Sequence, residues 1–312
     1  MRGLEISERF YREYGEKLIA ELFPEYKDRI AAGLVGEGSE CFGFDDEISR
    51  DHDFEAGFCL WITEEDERLF GFKLERAYAK LPKEFMGLKR ETLSPVGGNR
   101  RGVMTIESFY RKFIGSAGVP ESLKHWLFLS PEMLATATNG KVFSDPSGNF
   151  SQIREALKKG YPRDVRLKKL AAHLALAGQA GQYNYERLIA RGETGAAQLA
   201  IFEFVKNVLS AVFLLNNRYQ PFYKWTYMAM RKLPKLSDLE TSLSGLTELG
   251  NSAAEASGKI EIIEGVCAEL IAELKAQNLT DAVCNNLETH AYSVTDKIDD
   301  NELRNMHVMD GI

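Results

Sequence analysis

The chain has 312 residues, of which 44% are hydrophobic and 27% are charged. This length and composition predict a globular protein with one large domain or two ordinary ones. The net charge of −7 gives no general basic surface for DNA or RNA, so the sequence predicts that nucleic acid is not the partner unless a local basic groove exists.

The cysteines and the apolar segments predict a reduced, cytoplasmic setting with no membrane partner. No two of the four cysteines have the spacing of a zinc site, and the first residues lack the apolar core of a secretory signal. The most apolar stretch, 199–215, contains Glu203, Lys206 and Asn207 and is short for a membrane span. It is predicted to be a buried helix.

The first part of the chain predicts an α/β unit. Apolar residues at positions 10, 14, 18 and 22 mark one face of a helix. Residues 30–35 predict a buried strand that ends in the turn Gly36-Glu37-Gly38-Ser39. The later elements predicted here are a strand at 51–62, a helix at 64–80, a loop at 92–101 and a strand at 103–106.

Helical patterns dominate beyond about residue 115, with one extended interruption at 140–148. The predicted fold class is therefore α+β: an α/β unit with a small mixed sheet over residues 1–115, followed by a mostly helical unit over residues 116–312.

Two acids in the predicted second strand are candidate metal ligands. Asp51 and Asp53 would point to the same face, with Cα atoms ~6–7 Å apart, whereas His52 would point into the core. Neighbouring carboxylates repel each other unless a cation lies between them, and their hard oxygens suit Mg²⁺. Arg50, beside the acids, would pair with them or contact phosphate.

A candidate phosphate site precedes these acids by eleven residues, 40–50. Glycine at position 38 would let backbone amides approach a phosphate closely, and a turn that opens into a helix at Ser39 would present the positive end of that helix. The sequence therefore predicts phosphate binding at Gly38 and Ser39.

The two sites together resemble the signature of the DNA polymerase β-like nucleotidyltransferase superfamily. The string L-V-G-E-G-S, followed by D-H-D-F after the spacer, carries this resemblance. The longer string GSECFGFDDEISRDHDFEAG resembles the group called domain of unknown function 4037. That likeness continues in W-L-F-L-S-P-E at 126–132, G-K-V-F-S-D-P-S-G at 140–148 and L-L-N-N-R-Y-Q-P-F-Y-K-W at 214–225.

The resemblance implies a nucleotidyltransferase. Gly38 and Ser39 would hold the triphosphate of ATP or another NTP, and Asp51 and Asp53 would bind Mg²⁺ or Mn²⁺. A hydroxyl of a small molecule or a protein would attack the α-phosphorus, while the helical domain closes the cleft and binds the acceptor. The base of the nucleotide, the acceptor and the oligomeric state are not predicted.

Active members of the superfamily carry a third carboxylate on a later strand. Glu107 is the first candidate, because it would share a strand face with Val103 and Thr105, although it could equally begin the next helix. Asp145 is the alternative, but Asp-Pro-Ser-Gly is also ordinary turn chemistry. Without a third carboxylate the resemblance implies a catalytically silent nucleotide-binding sensor or scaffold.

The segment at 216–225 has two interpretations. It follows the long apolar helix and contains polar and aromatic residues before and after Pro221. It would be a helix stop with packed aromatic side chains, or it would place Lys224 on the triphosphate and Tyr219 or Asn216 beside the base or the acceptor. The second interpretation adds these three residues to the predicted nucleotide site.

Overall fold

The computed structural model describes residues 1–48, 56–90 and 100–312. The chain divides into two compact units. The first unit contains Met1–Pro120 and Ser130–Lys159, and the second contains Glu121–Leu129 and Gly160–Ile312.

A four-stranded mixed sheet is the scaffold of the first unit. Its strands are β1 (Ala31–Leu34), β2 (Cys59–Ile62), β5 (Gly102–Thr105) and β6 (Lys141–Ser144), while β3 (Glu84–Phe85) and β4 (Leu88–Lys89) form a separate hairpin. The spatial order is β5-β2-β1-β6. β1 runs antiparallel to β2 and β6, and β2 runs parallel to β5.

The burial of the central strands explains their sequences. β1 and β2 are buried along their whole length, so AAGL and CLWI lack alternating polar residues. The predicted buried strand at 30–35 is confirmed. The predicted strand at 51–62 is a strand at Cys59–Ile62, and residues 49–55 lie outside the described part of the chain.

The sheet also explains where the first unit ends. β6 pairs with β1, and this pairing brings residues 130–159 into the first unit. The observed division therefore differs from the predicted boundary after residue 115. A hydrogen-bonded strand partner that is distant in sequence leaves no compositional mark at the boundary.

The described residues of the first unit also form eight α-helices. They are α1 (Gly3–Phe10), α2 (Glu16–Leu22), α3 (Ser39–Phe42), α4 (Glu64–Asp66), α5 (Phe72–Ala79), α6 (Ile106–Ile114), α8 (Pro131–Thr138) and α9 (Asn149–Lys158). π-helical turns at Tyr11–Gly15 and Glu67–Gly71 join α1 to α2 and α4 to α5.

Helix α6 has sequence signals at both ends. The Thr105 hydroxyl accepts a hydrogen bond from the backbone N–H of Ser108 at 3.0 Å and caps the first turn. Gly115, at φ +68°, ends the helix in the left-handed conformation. The buried face carries Phe109 and Phe113, so α6 packs an aromatic stripe against the unit.

The second unit is helical. Its helices are α7 (Leu123–Phe128), α10 (Arg163–Ala177), α11 (Glu186–Ala190), α12 (Thr194–Leu215), α13 (Tyr223–Met230), α14 (Leu239–Glu248), α15 (Ala253–Ala276), α16 (Leu287–Thr295) and α17 (Asn301–Asn305). A π-helical segment, Gly178–Tyr185, continues α10. The predicted α+β fold class with a mostly helical C-terminal region is confirmed.

Helix α12 is the one helix of the described residues that is long and apolar enough to cross a membrane. Of its most apolar window, 61% is buried inside the protein. The Asn207 side chain is buried in α12, where its Oδ1 lies 2.8 Å from His173 Nδ1 of α10. These features fit the buried helix predicted from the sequence.

Candidate functional site

The glycine loop, residues 36–39, joins β1 to α3. Gly36 and Gly38 have φ angles of +124° and +121°, which residues with a side chain rarely adopt. A Cβ atom on Gly38 would also clash with the carboxylate of Glu40. α3 begins at Ser39, so the predicted glycine turn that opens into a helix is confirmed.

The protein itself anchors the glycine loop. The backbone N–H of Gly36 donates to Asn139 Oδ1 at 2.8 Å, and Asn139 Nδ2 donates back to the Gly36 carbonyl at 2.7 Å. Arg154 in turn donates to the carbonyls of Asn139 at 2.9 Å and Gly140 at 3.1 Å. The start of the loop is therefore held in place by side chains that follow it by more than a hundred residues.

Two cations converge on one carboxylate of the loop. Lys112 Nζ, on α6, lies 2.8 Å from Glu37 Oε2, and Arg100 Nε lies 3.9 Å from the same oxygen. The three side chains keep between 32% and 47% of their surface exposed. The Lys112 side chain beside the loop is therefore accessible from solvent, whereas the Arg100 Nε atom is buried.

A second ion pair near the loop is buried. Arg101 lies 2.7 Å from Glu40 Oε1, and both side chains are only 7% exposed. Gly57 packs against Arg101, because a Cβ there would lie 2.9 Å from Arg101 Cδ. This pair links α3 to the residues immediately before β5 and is enclosed by the protein.

The cysteines near the loop are unreactive. Burial raises the pKa of Cys59 to about 12 and raises the pKa of Cys41 well above its usual value, although Arg101 acts in the opposite direction on both. Both thiols are therefore protonated at neutral pH, and thiolate is the form that binds metals and attacks substrates.

The predicted metal ligands lie outside the described residues. Asp51 and Asp53, together with Arg50 and His52, fall within 49–55. Among residues 1–48, 56–90 and 100–312, no three His, Cys, Asp or Glu side chains are grouped so as to hold a metal ion. The metal-binding role of Asp51 and Asp53 stays a prediction.

Glu107 lies in a helix, which is the second of its two predicted placements. α6 begins at Ile106, so Glu107 does not continue the strand face of β5. Its Oε2 accepts a hydrogen bond from the backbone N–H of Glu64 at 3.1 Å. Glu107 therefore lies beyond the carboxyl ends of β2 and β5, whereas the predicted metal ligands come before β2 in the chain.

Asp145 forms a local turn. Its Oδ1 accepts from the backbone N–H of Gly148 at 3.1 Å, and its Oδ2 accepts from the N–H of Ser151 at 2.7 Å. These bonds satisfy amides at the start of α9, as expected of an aspartate before a helix. The turn chemistry noted in the sequence accounts for Asp145.

In the second unit, the residues after α12 form a helix stop, 216–218. Asn217 has φ +50°, and its N–H donates to the Leu214 carbonyl at 3.0 Å. The N–H of Arg218 donates to the Phe213 carbonyl at 3.0 Å, which completes a Schellman motif with asparagine in the position that usually holds glycine.

Two of the three predicted binding residues of this segment contact other parts of the second unit. Asn216 Nδ2 donates to the carbonyls of Val212 and Lys235, at 2.9 and 3.0 Å. Burial raises the pKa of Tyr219, whose ring packs edge-on against Tyr161.

The third of these residues, Lys224, is exposed, and its Nζ lies 4.4 Å from the centre of the Trp225 ring. Nucleotide binding by Lys224, Tyr219 and Asn216 stays a prediction.

Sequence reasoning missed four residues around the glycine loop. Arg100 and Arg101 follow a glycine-rich stretch, and this basic pair before a strand is a signal that the sequence does contain. Lys112 and Asn139 have no such signal, because only the packing of α6 and the pairing of β6 with β1 bring them to the loop.

Comparison with known proteins adds a family match. Residues 126–226 match the model of a family described as a domain of unknown function (DUF4037). This match confirms the resemblance to that group drawn from the sequence. It includes parts of both units but not the glycine loop.

No curated protein matches the chain. A crystal structure of a nucleotidyltransferase-like protein from Exiguobacterium sibiricum 255-15 is similar over 94% of this chain and 81% of that one, with 12% sequence identity and a TM-score of 0.36.

Proposed function

We propose that the protein is a metal-dependent nucleotidyltransferase that moves a nucleoside monophosphate, AMP from ATP, onto a hydroxyl of a small molecule or a protein. The observation that carries the proposal is the glycine loop after β1, with the exposed Lys112 and the half-buried Arg100 beside it. A sharp glycine turn next to accessible positive charge is suited to a phosphorylated ligand.

In the proposed reaction, the chain's own residues supply position and charge. Backbone N–H groups at Gly38 and Ser39 bind phosphate oxygens, since the missing side chain lets the ligand approach closely. Arg100 and Lys112 neutralise the phosphate charge. The acceptor hydroxyl releases its proton to water as its oxygen attacks the α-phosphorus in line. The bond between the α-phosphorus and the oxygen that bridges to the β-phosphorus breaks, and pyrophosphate leaves with that oxygen.

Asp51 and Asp53 would hold Mg²⁺ or Mn²⁺ in this proposal. Two carboxylates form a set of hard oxygen donors, which these ions prefer. When bound, the metal would neutralise charge on the phosphates and on the leaving group.

Transfer of label tests the proposal. Each α-labelled NTP is incubated with Mg²⁺ or Mn²⁺, the protein and a metabolite extract or cell protein, and labelled products are separated. The wild type should transfer label, and Asp53→Asn should not. Asp299→Asn, which removes a carboxylate that is 88% exposed in the second unit, is the matched control and should transfer like the wild type. Transfer that survives Asp53→Asn would overturn the site.

A second candidate function is nucleotide binding without transfer. None of the four residues of β5 is acidic, and Glu107 accepts a hydrogen bond from the Glu64 amide beyond the end of that strand. Both observations favour a site without a third carboxylate. ATP that binds the wild type but yields no labelled product under any of the conditions above would select this function.

A further inference from the structure

Glu37 occupies an unusual place for a carboxylate. It lies between the two positive-φ glycines of the loop, where the proposed function puts the phosphates. One of its oxygens, Oε2, is the point at which Lys112 and Arg100 converge, at 2.8 and 3.9 Å. An anionic oxygen of the protein is thus held by the same cations that a phosphate would use.

The exposure of these side chains makes the contact exchangeable. Glu37 is 36% exposed and Lys112 is 47% exposed, whereas Arg100 is 32% exposed and its Nε atom is buried. The exchangeable contact is therefore the one between Glu37 and Lys112. Ion pairs in contact with water contribute only about 0–1 kcal/mol, so a stronger anion can displace one partner at little cost. A polyphosphate brings several charges, and phosphate binds arginine and lysine with strong charge-assisted hydrogen bonds.

The neighbouring pair cannot exchange in this way. Glu40 and Arg101 are both 7% exposed, and removal of one partner would leave the other charge buried. The two consecutive arginines therefore pair with two glutamates of the same short segment, but only the Glu37 pair is open to a ligand.

We infer that Glu37 is an internal counter-anion of Arg100 and Lys112, which the phosphates of the nucleotide displace on binding. This inference rests on the proposed function and adds a selectivity to it. A ligand must outcompete the carboxylate, so a triphosphate binds well and a monophosphate binds poorly. Glu37 returns to the cations when pyrophosphate leaves, and this return favours release of the product.

Binding of inorganic tripolyphosphate, Mg·ATP and AMP, measured by calorimetry, tests the inference. Glu37→Gln should bind tripolyphosphate and ATP about threefold to tenfold more tightly than the wild type, because the charge of Glu37 no longer competes with the phosphates for the cations. The affinity for AMP should rise by a larger factor, so the preference for ATP over AMP should fall. Lys112→Gln should weaken tripolyphosphate binding by about tenfold.

Glu8→Gln is the matched control. The Glu8 carboxylate also holds a lysine and an arginine, with Lys141 at 2.6 Å and Arg12 at 3.8 Å, and its side chain is 27% exposed. The substitution removes the same charge at a contact that does not involve the loop. It should leave all three affinities unchanged, and a gain equal to that of Glu37→Gln would attribute the effect to net charge and overturn the inference.

The outcomes separate this inference from the proposed function. If the wild type binds tripolyphosphate and Glu37→Gln binds it no more tightly, the inference is wrong and the proposed function stands. If the affinities change as expected but no label is transferred, Glu37 is the counter-anion of a nucleotide-binding protein, and the transfer and its product-release step are wrong. A wild type that binds neither tripolyphosphate nor ATP would overturn both.

Discussion

The glycine loop of the first unit and the helix stop of the second unit use their polar groups in opposite ways. At the loop, Glu37 and Lys112 form an ion pair that remains 36% and 47% exposed. At the helix stop, the side-chain amide of Asn216 is bonded to backbone groups of Val212 and Lys235. The first arrangement can exchange partners with a ligand, and the second one holds a chain reversal together.

The difference has a physical cause. A helix end leaves four carbonyl groups without partners, and a polar side chain nearby is readily used to satisfy them or the chain that follows. At the glycine loop, the Asn139 side chain already satisfies the backbone N–H and the carbonyl of Gly36, so the charged side chains nearby are not needed for that purpose. The ion pair of Glu37 and Lys112 beside the loop is therefore not needed to hold Gly36 in place.

The largest effect is expected from Arg101→Met, which breaks the buried pair behind the loop. Glu40 would keep its charge in a site that is 7% exposed, so the free energy of unfolding should fall by about 3–5 kcal/mol. Urea titration followed by circular dichroism measures this loss. Glu40→Gln added to Arg101→Met should recover part of it, because the stranded charge is then gone.

Arg111→Met is the control for this substitution. Arg111 pairs with Glu64 on the surface, with side chains 51% and 39% exposed, and its loss should cost at most about 1 kcal/mol. Equal losses for the two arginine variants would show that the Glu40 pair is not enclosed, and the distinction between a fixed and an exchangeable pair at the loop would fail.

A smaller effect is expected from Asn216→Ala. The substitution removes the side-chain amide that accepts from the Lys235 N–H at 3.1 Å, so unfolding should become easier by about 1–2 kcal/mol. If the Asn216 side chain serves only the helix stop, the affinity for ATP should not change. Asn285→Ala changes an exposed residue whose backbone carbonyl accepts a hydrogen bond from Gln182, so it should change neither quantity. A tenfold loss of ATP affinity in Asn216→Ala alone would confirm the predicted place of Asn216 in the nucleotide site.

Local sequence patterns predicted the conformation of the glycine loop, but they did not predict the side chains that contact it. The apolar run at 30–35 is typical of a buried strand, and the glycines at 36 and 38 are typical of a sharp turn. The strand, the turn and the start of the helix could therefore be predicted. The partners of the loop come from distant parts of the chain. The packing of α6 places Lys112 beside the loop, and the pairing of β6 with β1 places Asn139 there.

For the polar residues after α12, the sequence does not distinguish a ligand-binding role from a structural one. Asn216 has the same hydrogen-bonding groups whether it binds a ligand or the chain, and the sequence does not contain the position of Lys235. Asn217 did carry a usable signal, since asparagine tolerates the left-handed conformation that ends a helix. The polar residues after the apolar helix predicted a helix stop, but they did not predict how the Asn216 side chain is used.

The smallest change in stability is expected from Glu107→Gln. The amide keeps an oxygen that can accept from the Glu64 N–H, so only the favourable charge near the start of α6 is lost, and the free energy of unfolding should fall by about 0.3–1 kcal/mol. Label transfer should be as fast as in the wild type, because Glu107 lies beyond the ends of β2 and β5 and binds the backbone there.

The same variant tests whether Glu107 is the third catalytic carboxylate. A third catalytic carboxylate binds metal or activates the acceptor, and its conversion to an amide would abolish transfer while ATP binding persists. Unchanged transfer in Glu107→Gln, with transfer lost in Asp53→Asn, would require another acid to complete the site. Loss of transfer in both would show that Glu107 changes its partner when the nucleotide binds, which would make its bond to the Glu64 amide exchangeable, like the contacts of Glu37.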